Sequence, residues 1–444
     1  MASANQPGAP GGHSLGPASI AAAATIGLLM ALPSLPGRMN GDAIDMFEQA
    51  LRGGYSDWHV TLVSWLWNLS GAGSLAVAAL TLVTAAVILV SFAILFASAG
   101  LGRWPAVAAA AALAALPPVL GYLAAVSKDT WFAAIVLAML VLSAVGRPGR
   151  LWARAALAGL GVVVRPEGVL LIPVFALAEF YIFSGSWRRG AGFAAIAAAV
   201  VALNFLFVYQ VAKAERLYPQ SVIFLFDLAG ISIKTDTLLL PPAAFPAQDL
   251  EVLKRHFWFD SVAPMIWGEP KEEMLGRVRG DDVSDLQRRW IAAIIAHPRE
   301  YLSTRAGVIG TFLKGIWQYH PGIDPNPNIS LYWPPWNDAV NAYVAAAPKR
   351  LMSHSLPMAG AAVLALWLAL RRRATRWDRA VLAYLAIGLV YQLMLLVLMV
   401  APDFRFGYAG VVLFYLVLAL TLVREREGVA ALIAWLRRRR PSGA

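Results

Sequence analysis

"SLAVAALTLVTAAVILVSFAILFAS" (74–98) contains no ionisable side chain. At 1.5 Å per residue, a helix over this stretch is about 37 Å long, enough for the roughly 30 Å hydrocarbon layer of a bilayer. Comparable runs lie on both sides of it. The expected spans fall at about 18–36, 74–98, 104–125, 130–146, 151–165, 167–184, 190–211, 352–370, 379–400 and 406–423. The chain therefore reads as an all-α polytopic membrane protein of about ten transmembrane helices. Composition agrees. The 444 residues are 59% hydrophobic and 14% charged, where a soluble domain carries about a quarter charged residues. The absence of Cys excludes disulfides and thiolate metal sites. The fifth span ends at Arg165-Pro166, where a break is expected. Residues 1–17 have no Lys or Arg, lack the basic start of a signal peptide, and read as a disordered tail.

The net charge of +11 invites a nucleic-acid reading, and its distribution argues against one. With the N-terminus inside, the inner connections hold 17 Arg against four acids. The short outer loops hold five basic residues and seven acids, and segment 212–350 holds 15 of each sign. This is the positive-inside pattern, so no nucleic-acid partner is expected. The chain divides into a transmembrane module (18–211) with an outer loop at 37–73, an outer segment of short helices and loops (212–350), further spans (351–424) and a basic tail (425–444). "HPREYLSTRAGVIGTFLKGIW" (297–317) carries Arg305 and Lys314 within an apolar run, which favours an interfacial helix over a re-entrant one. "DPNPNISLYWPPWND" (324–338) reads as an interfacial loop.

Polar features gather on the outer face. "GDAIDMFEQALRGGYSDWH" (41–59) holds Asp42, Asp45, Glu48, Tyr55, Asp57 and His59. As a helix, 41–52 places Asp42, Asp45 and Gln49 on one face and Phe47 with Leu51 on another, and Gly53-Gly54 ends it. A second amphipathic stretch follows, with Ser56 or Asp57 as its cap and Trp58, Leu62, Trp65 and Leu66 apolar. "SKDT" supplies Lys128 and Asp129, "RPEG" supplies Arg165 and Glu167, and "PDFRFGY" supplies Asp403, Arg405 and Tyr408. Each charge alone is commonly just a helix end in the headgroup layer. Repetition across four outer turns points further. Converging cations suit a phosphate or diphosphate. Carboxylates suit a base for a hydroxyl, or ligands to Mg²⁺ or Mn²⁺, and the metal question is open on sequence.

These motifs resemble the GT-C glycosyltransferases that use polyprenyl-phosphate sugars, the superfamily holding protein O-mannosyltransferases and the lipid A aminoarabinose transferase. Asp42 matches the leading acid of the first outer loop in one bacterial branch. Gln49-Ala50 and Asp57-Trp58-His59 match later parts of that loop, with Val60 where Pro often follows. "SKDTWFA", "RPEG", "DFRFGY" and "AHPREYLSTR" resemble its other turns, with Phe406 where Tyr is commoner. The resemblance implies a GT-C-like bundle in a bacterial inner membrane, with both termini cytoplasmic and a periplasmic site. It implies a polyprenyl-phosphate-linked sugar donor and a glycolipid, polysaccharide or protein acceptor. Asp42 would act as base with Asp45 in support, and Lys128, Arg165 and Arg405 would hold the donor phosphate. Glu48, Tyr55, Asp57, His59, Asp129, Glu167, Asp403 and Tyr408 would serve sugar or acceptor. Two other readings stand beside it. An O-antigen ligase or polymerase places its key Arg and His in the large loop, and a transporter places charges mid-span.

Overall fold

A computed structural model describes residues 13–145, 150–183, 185, 187–271, 274–276, 278, 280–314, 329–348, 351, 353–370 and 375–426. The first half of the chain forms α1 (Pro17–Ala31), α2 (Gly41–Arg52), α3 (Thr61–Leu69), α4 (Ser74–Ser98), α5 (Arg103–Ala114), α6 (Pro117–Leu123), α7 (Lys128–Ala144), α8 (Leu151–Val164), α9 (Ile172–Ile182) and α10 (Trp187–Leu206). The second half forms α11 (Ser221–Thr235), α12 (Leu250–His256), α13 (Ala263–Trp267), α14 (Asp281–Ala296), α15 (Pro298–Lys314), α16 (Pro334–Ala345), α17 (Ser355–Leu370), α18 (Arg376–Leu398) and α19 (Tyr408–Arg424). The fold is helical, as expected.

Five stretches are long and apolar enough to cross a membrane: Pro17–Ser34, Ser74–Ser98, Trp187–Val211, Arg376–Leu398 and Phe404–Arg424. A sixth arises if α5 and α6 count together, although they bend by 84°. Pro117 and Pro118 cause that bend, because the residue before a proline is driven extended and Leu116 sits at ψ 133°. The expectation of ten spans is corrected. The other four regions are occupied by α7 (17 residues), α8 (14), α9 (11) and α17 (16). These fall short of the about 20 residues a hydrocarbon layer needs. Arg165-Pro166 does break the chain, and a 3-10 turn over Pro166–Leu171 separates α8 from α9. The expected tail gives way to helix already at Pro17, with residues 1–12 outside the described residues. The expected loop over 324–338 is helical from Pro334, a residue suited to a helix's first turn, and 324–328 lie outside the described residues. Of the basic tail, 427–444 also lie outside them.

α7 is the centre of the bundle, packed against α4, α8, α18 and α19. At one end of the bundle, Arg154 is fully buried against Glu179, with bonds of 2.7 and 3.0 Å. Arg189 donates to the same carboxylate at 2.8 Å. Both guanidiniums lie 4.4 Å from the Phe183 ring. A lone carboxylate buried here would be costly, and the paired arginines offset that.

A second apolar core forms from α11, α12, α14 and α15, with Met399 after α18 joining it. A buried ion pair within this second core also reaches the end of α18. Arg305 Nη2 donates to Asp227 Oδ2 at 2.6 Å, and Arg305 Nη1 donates to the Met399 carbonyl at 2.7 Å. Trp290 Nε1 donates to the same Asp227 oxygen at 2.9 Å. Arg305 therefore sits inside protein, not at a lipid interface as its apolar neighbours suggest. We expect Arg305→Met to free α11, α14 and α15 from the bundle. Hydrogen exchange should rise in those three helices and stay slow in α4 and α7; uniform exchange would refute the tie.

Candidate functional site

The site begins with the turn after α1. Gly37 has φ +140°, and a Cβ there would collide with Thr81 and Val126. Only glycine lets the chain run this close to α4 and the strand beside it. Arg38–Met39 then pairs in parallel with Ala125–Val126, Arg38 opposite Ala125. This short pairing brings the start of α2 beside the start of α7. Asn40 caps α2 by accepting from the Ala43 N–H at 3.0 Å, and Ser127 caps α7 by accepting from the Asp129 N–H at 3.2 Å. Asp42 lies in the first turn of α2, where the helix dipole favours a negative charge.

The consequence is a shared carboxylate. Asp42 Oδ2 lies 3.2 Å from Lys128 Nζ and 3.3 Å from Arg405 Nη1. Asp403 holds Arg405 in turn, at 2.9 Å from its Nε. Burial works to raise the Asp42 carboxyl's pKa, but Arg405 and Lys128 outweigh it and hold it well below the usual carboxylate range. Beside them, Arg165 is 1% exposed. Its guanidinium meets Asp129 at 2.9 Å and Glu167 at 3.3 Å, and it donates to the Tyr391 hydroxyl at 3.0 and 3.2 Å. The Phe406 ring lies 5.2 Å from it.

These groups open on one cavity of about 790 Å³ at the seam between the two cores. Its size is in the range of small-molecule sites. Asp42, His59, Lys128, Arg165, Glu167, Asp403 and Arg405 all line it. Val169, Leu170, Leu395, Leu398 and Val400 add apolar lining, and Gln220, Asp260 and Ser261 join from the second-core side.

The remaining expected residues do other things. Asp45 is not on the cavity; its Oδ2 lies 3.3 Å from His59 Nε2 and accepts from Gln49 Nε2 at 2.9 Å. Asp129 is 2% exposed and stands behind Arg165. Glu48 makes an exposed pair with Arg52. Asp57 is a chain clip: it accepts from the Tyr209 hydroxyl at 2.9 Å and the Leu217 N–H at 2.6 Å. The Tyr55 carbonyl accepts from the Glu215 N–H at 2.9 Å in the same clip. Hence neither Ser56 nor Asp57 caps α3, which starts at Thr61. Tyr408 is fully buried and donates to the Val119 carbonyl at 2.9 Å. On α2, Phe47 is buried beside Ala43, Met46 and Ala50, while Leu51 is 47% exposed.

Three participants escaped sequence reading. Arg38 lines the cavity and is 4% exposed, donating to Asn341 at 2.9 Å and the Gly121 carbonyl at 2.5 Å. A basic residue directly after the first span, on the acid-biased face, was its signal. Tyr391 lies in the middle of α18 and Asp260 in an irregular stretch; neither carries a local signal.

Among the described residues, no group of three or more His, Asp or Glu side chains gathers as a metal site. Of the acids lining the cavity, Asp42, Glu167 and Asp403 already face Lys or Arg, which would compete with a divalent cation for them. Comparison with protein-family models, with curated proteins and with solved structures found no match in any of the three.

Proposed function

We propose that this chain is a GT-C-type membrane glycosyltransferase that moves a sugar from a polyprenyl phosphate to an acceptor hydroxyl. The observation that carries this reading is the carboxylate of Asp42 held between Lys128 and Arg405 in a cavity with a largely apolar lining. The cations would take the donor phosphate and stabilise the charge that grows on it as the sugar leaves. The apolar lining suits the first isoprene units. Asp42 would face the anomeric carbon and the incoming hydroxyl, and the acceptor would approach past His59 and Asp260. A single displacement inverts the anomeric centre. The acceptor class is a glycolipid, polysaccharide or protein. The cation-rich end around Arg154 and Arg189 would face the cytoplasm, with the cavity at the outer face of a bacterial inner membrane.

Charge favours a phosphodiester donor over a diphosphate. Arg38, Lys128, Arg165 and Arg405 line the cavity, and so do Asp42, Glu167, Asp260 and Asp403. Four cations against four carboxylates leave little surplus for a doubly charged group. That also weighs against a ligase acting on lipid diphosphates. The test is a knockout strain with and without the wild-type chain, read by mass spectra of envelope glycolipids and surface polysaccharide. A sugar mass lost in the knockout and restored by the chain is the expected result. Envelope glycans and glycoproteins that never change would exclude the reading.

A further inference from the structure

We infer that His59, braced by Asp45, takes the proton from the acceptor hydroxyl, and that Asp42 does not. This rests on the transferase reading and assigns the proton within it.

Asp42 is poorly placed to be the base. Two cations share one of its oxygens, and their charge acts on the whole carboxylate, whichever oxygen a proton would take. Two cationic partners stabilise the charged carboxylate and weaken it as a proton acceptor.

His59 is placed differently. Its side chain is 6% exposed and lines the cavity. Nε2 lies 3.3 Å from Asp45 Oδ2, at the long edge of hydrogen-bond range. The carboxylate is itself fixed. Gln49, one turn on along α2, donates to the same Asp45 oxygen, and Gln49 is clamped in turn by the Ser56 N–H at 2.9 Å and the Ser56 hydroxyl at 3.1 Å. The bond from His59 and burial act in opposite directions on Asp45, and the bond prevails, so its carboxyl lies below the usual range. An ionised Asp45 claims the proton on Nε2. The lone pair is then on Nδ1, and Nδ1 is buried with no partner among the described residues. A carboxylate on one ring nitrogen and an unpartnered lone pair on the other is the arrangement of an imidazole base.

The step balances. The acceptor oxygen bonds to the anomeric carbon, and its proton passes to His59 Nδ1. The bond from the anomeric carbon to the phosphate oxygen breaks, and its electron pair stays on the lipid phosphate between Lys128 and Arg405. The imidazolium is stabilised by Asp45, whose side chain is 43% exposed. Water that enters the cavity once the product has left takes the proton from Nδ1, which restores the tautomer with its proton on Nε2. The charged groups that share the cavity with His59 are Arg38, Asp42, Lys128, Arg165, Glu167, Asp260 and Arg405 with its partner Asp403.

The test uses full-length chain in membranes of the knockout host, which supply donor and acceptor. Transfer is followed across a pH series for wild type, His59→Gln and Asp45→Asn. Binding of farnesyl phosphate reports the phosphate corner separately. Wild-type transfer should fall on acidification, because a protonated imidazole cannot accept. His59→Gln should lose on the order of 10²-fold in rate, lose that acid fall, and keep its affinity for farnesyl phosphate. Asp45→Asn should lose less, on the order of tenfold. His59→Gly should regain transfer with added imidazole. Wild-type rate or an unchanged acid fall in His59→Gln overturns the assignment. So does a His59→Gly variant that binds farnesyl phosphate yet shows no imidazole rescue. Unchanged envelope glycans in the knockout would instead overturn the transferase reading, and the relay with it.

Discussion

Arg165→Met is expected to abolish transfer and to destabilise the bundle by about 3–5 kcal/mol, the usual cost of stranding one half of a buried ion pair. Total stabilities are about 5–15 kcal/mol, so the loss would show as poor yield and early unfolding. The reasoning rests on what is left behind. Asp129 is 2% exposed and has Ser127 as its other close polar contact, so its charge would have neither cation nor water. Glu167 is less affected, since its side chain is 29% exposed and can hydrate. The Tyr391 hydroxyl would lose its acceptor role to both guanidinium nitrogens. A second substitution separates folding from function. Arg165→Met combined with Asp129→Asn removes both charges, and replacing a whole buried pair is often neutral. We expect the double variant to recover most of its thermal stability, followed by tryptophan fluorescence in detergent, and none of its transfer. Failure to recover stability would mean that the Tyr391 and Phe406 contacts hold this corner, not the charge pair.

Much of this architecture could be read from the residues, and the failures share a cause. The long uncharged run at 74–98 and the helix at 41–52 follow from local pattern, and both lie where the sequence puts them. The polar turns also converge as their shared face suggests. Pairings between distant segments were not legible. Lys128 and Asp129 look like one ion pair in sequence. Adjacent helix positions point about 100° apart, so Lys128 turns to Asp42 on α2 while Asp129 turns to Arg165 after α8. Asp57 looked like a helix cap and is instead claimed by Tyr209 and Leu217, some 150 residues on. Arg305 looked interfacial because its partner, Asp227, lies 78 residues away. Span counting erred for a related reason. The apolar runs within 128–182 are each short: α7 begins after the Ser127 cap and ends at Ala144, α8 begins at Leu151, and the break at Pro166 separates it from α9, so none is long enough to cross alone.

Asp42→Asn should lower transfer on the order of 10³-fold, the scale set by removing a fixed charge aimed at a transition state, while donor-phosphate binding holds or tightens. The two effects have one origin. In the free protein the carboxylate occupies Lys128 and Arg405. A phosphate arriving in the same corner must compete with it for both cations. The amide has no charge with which to compete, so farnesyl phosphate should bind Asp42→Asn at least as well as wild type. Transfer needs the charge for another purpose. As the bond to the phosphate stretches, positive charge grows on the anomeric carbon, as in other oxocarbenium-like displacements, and the Asp42 carboxylate can answer it through the oxygen that Lys128 and Arg405 leave open. The amide cannot. Asparagine keeps the size of the side chain and a first-turn position on α2 capped by Asn40, so the variant should insert and purify normally. Weaker farnesyl phosphate binding in Asp42→Asn would show instead that the carboxylate's work is to hold Lys128 and Arg405 in place. Transfer at the wild-type rate would remove Asp42 from the chemistry altogether.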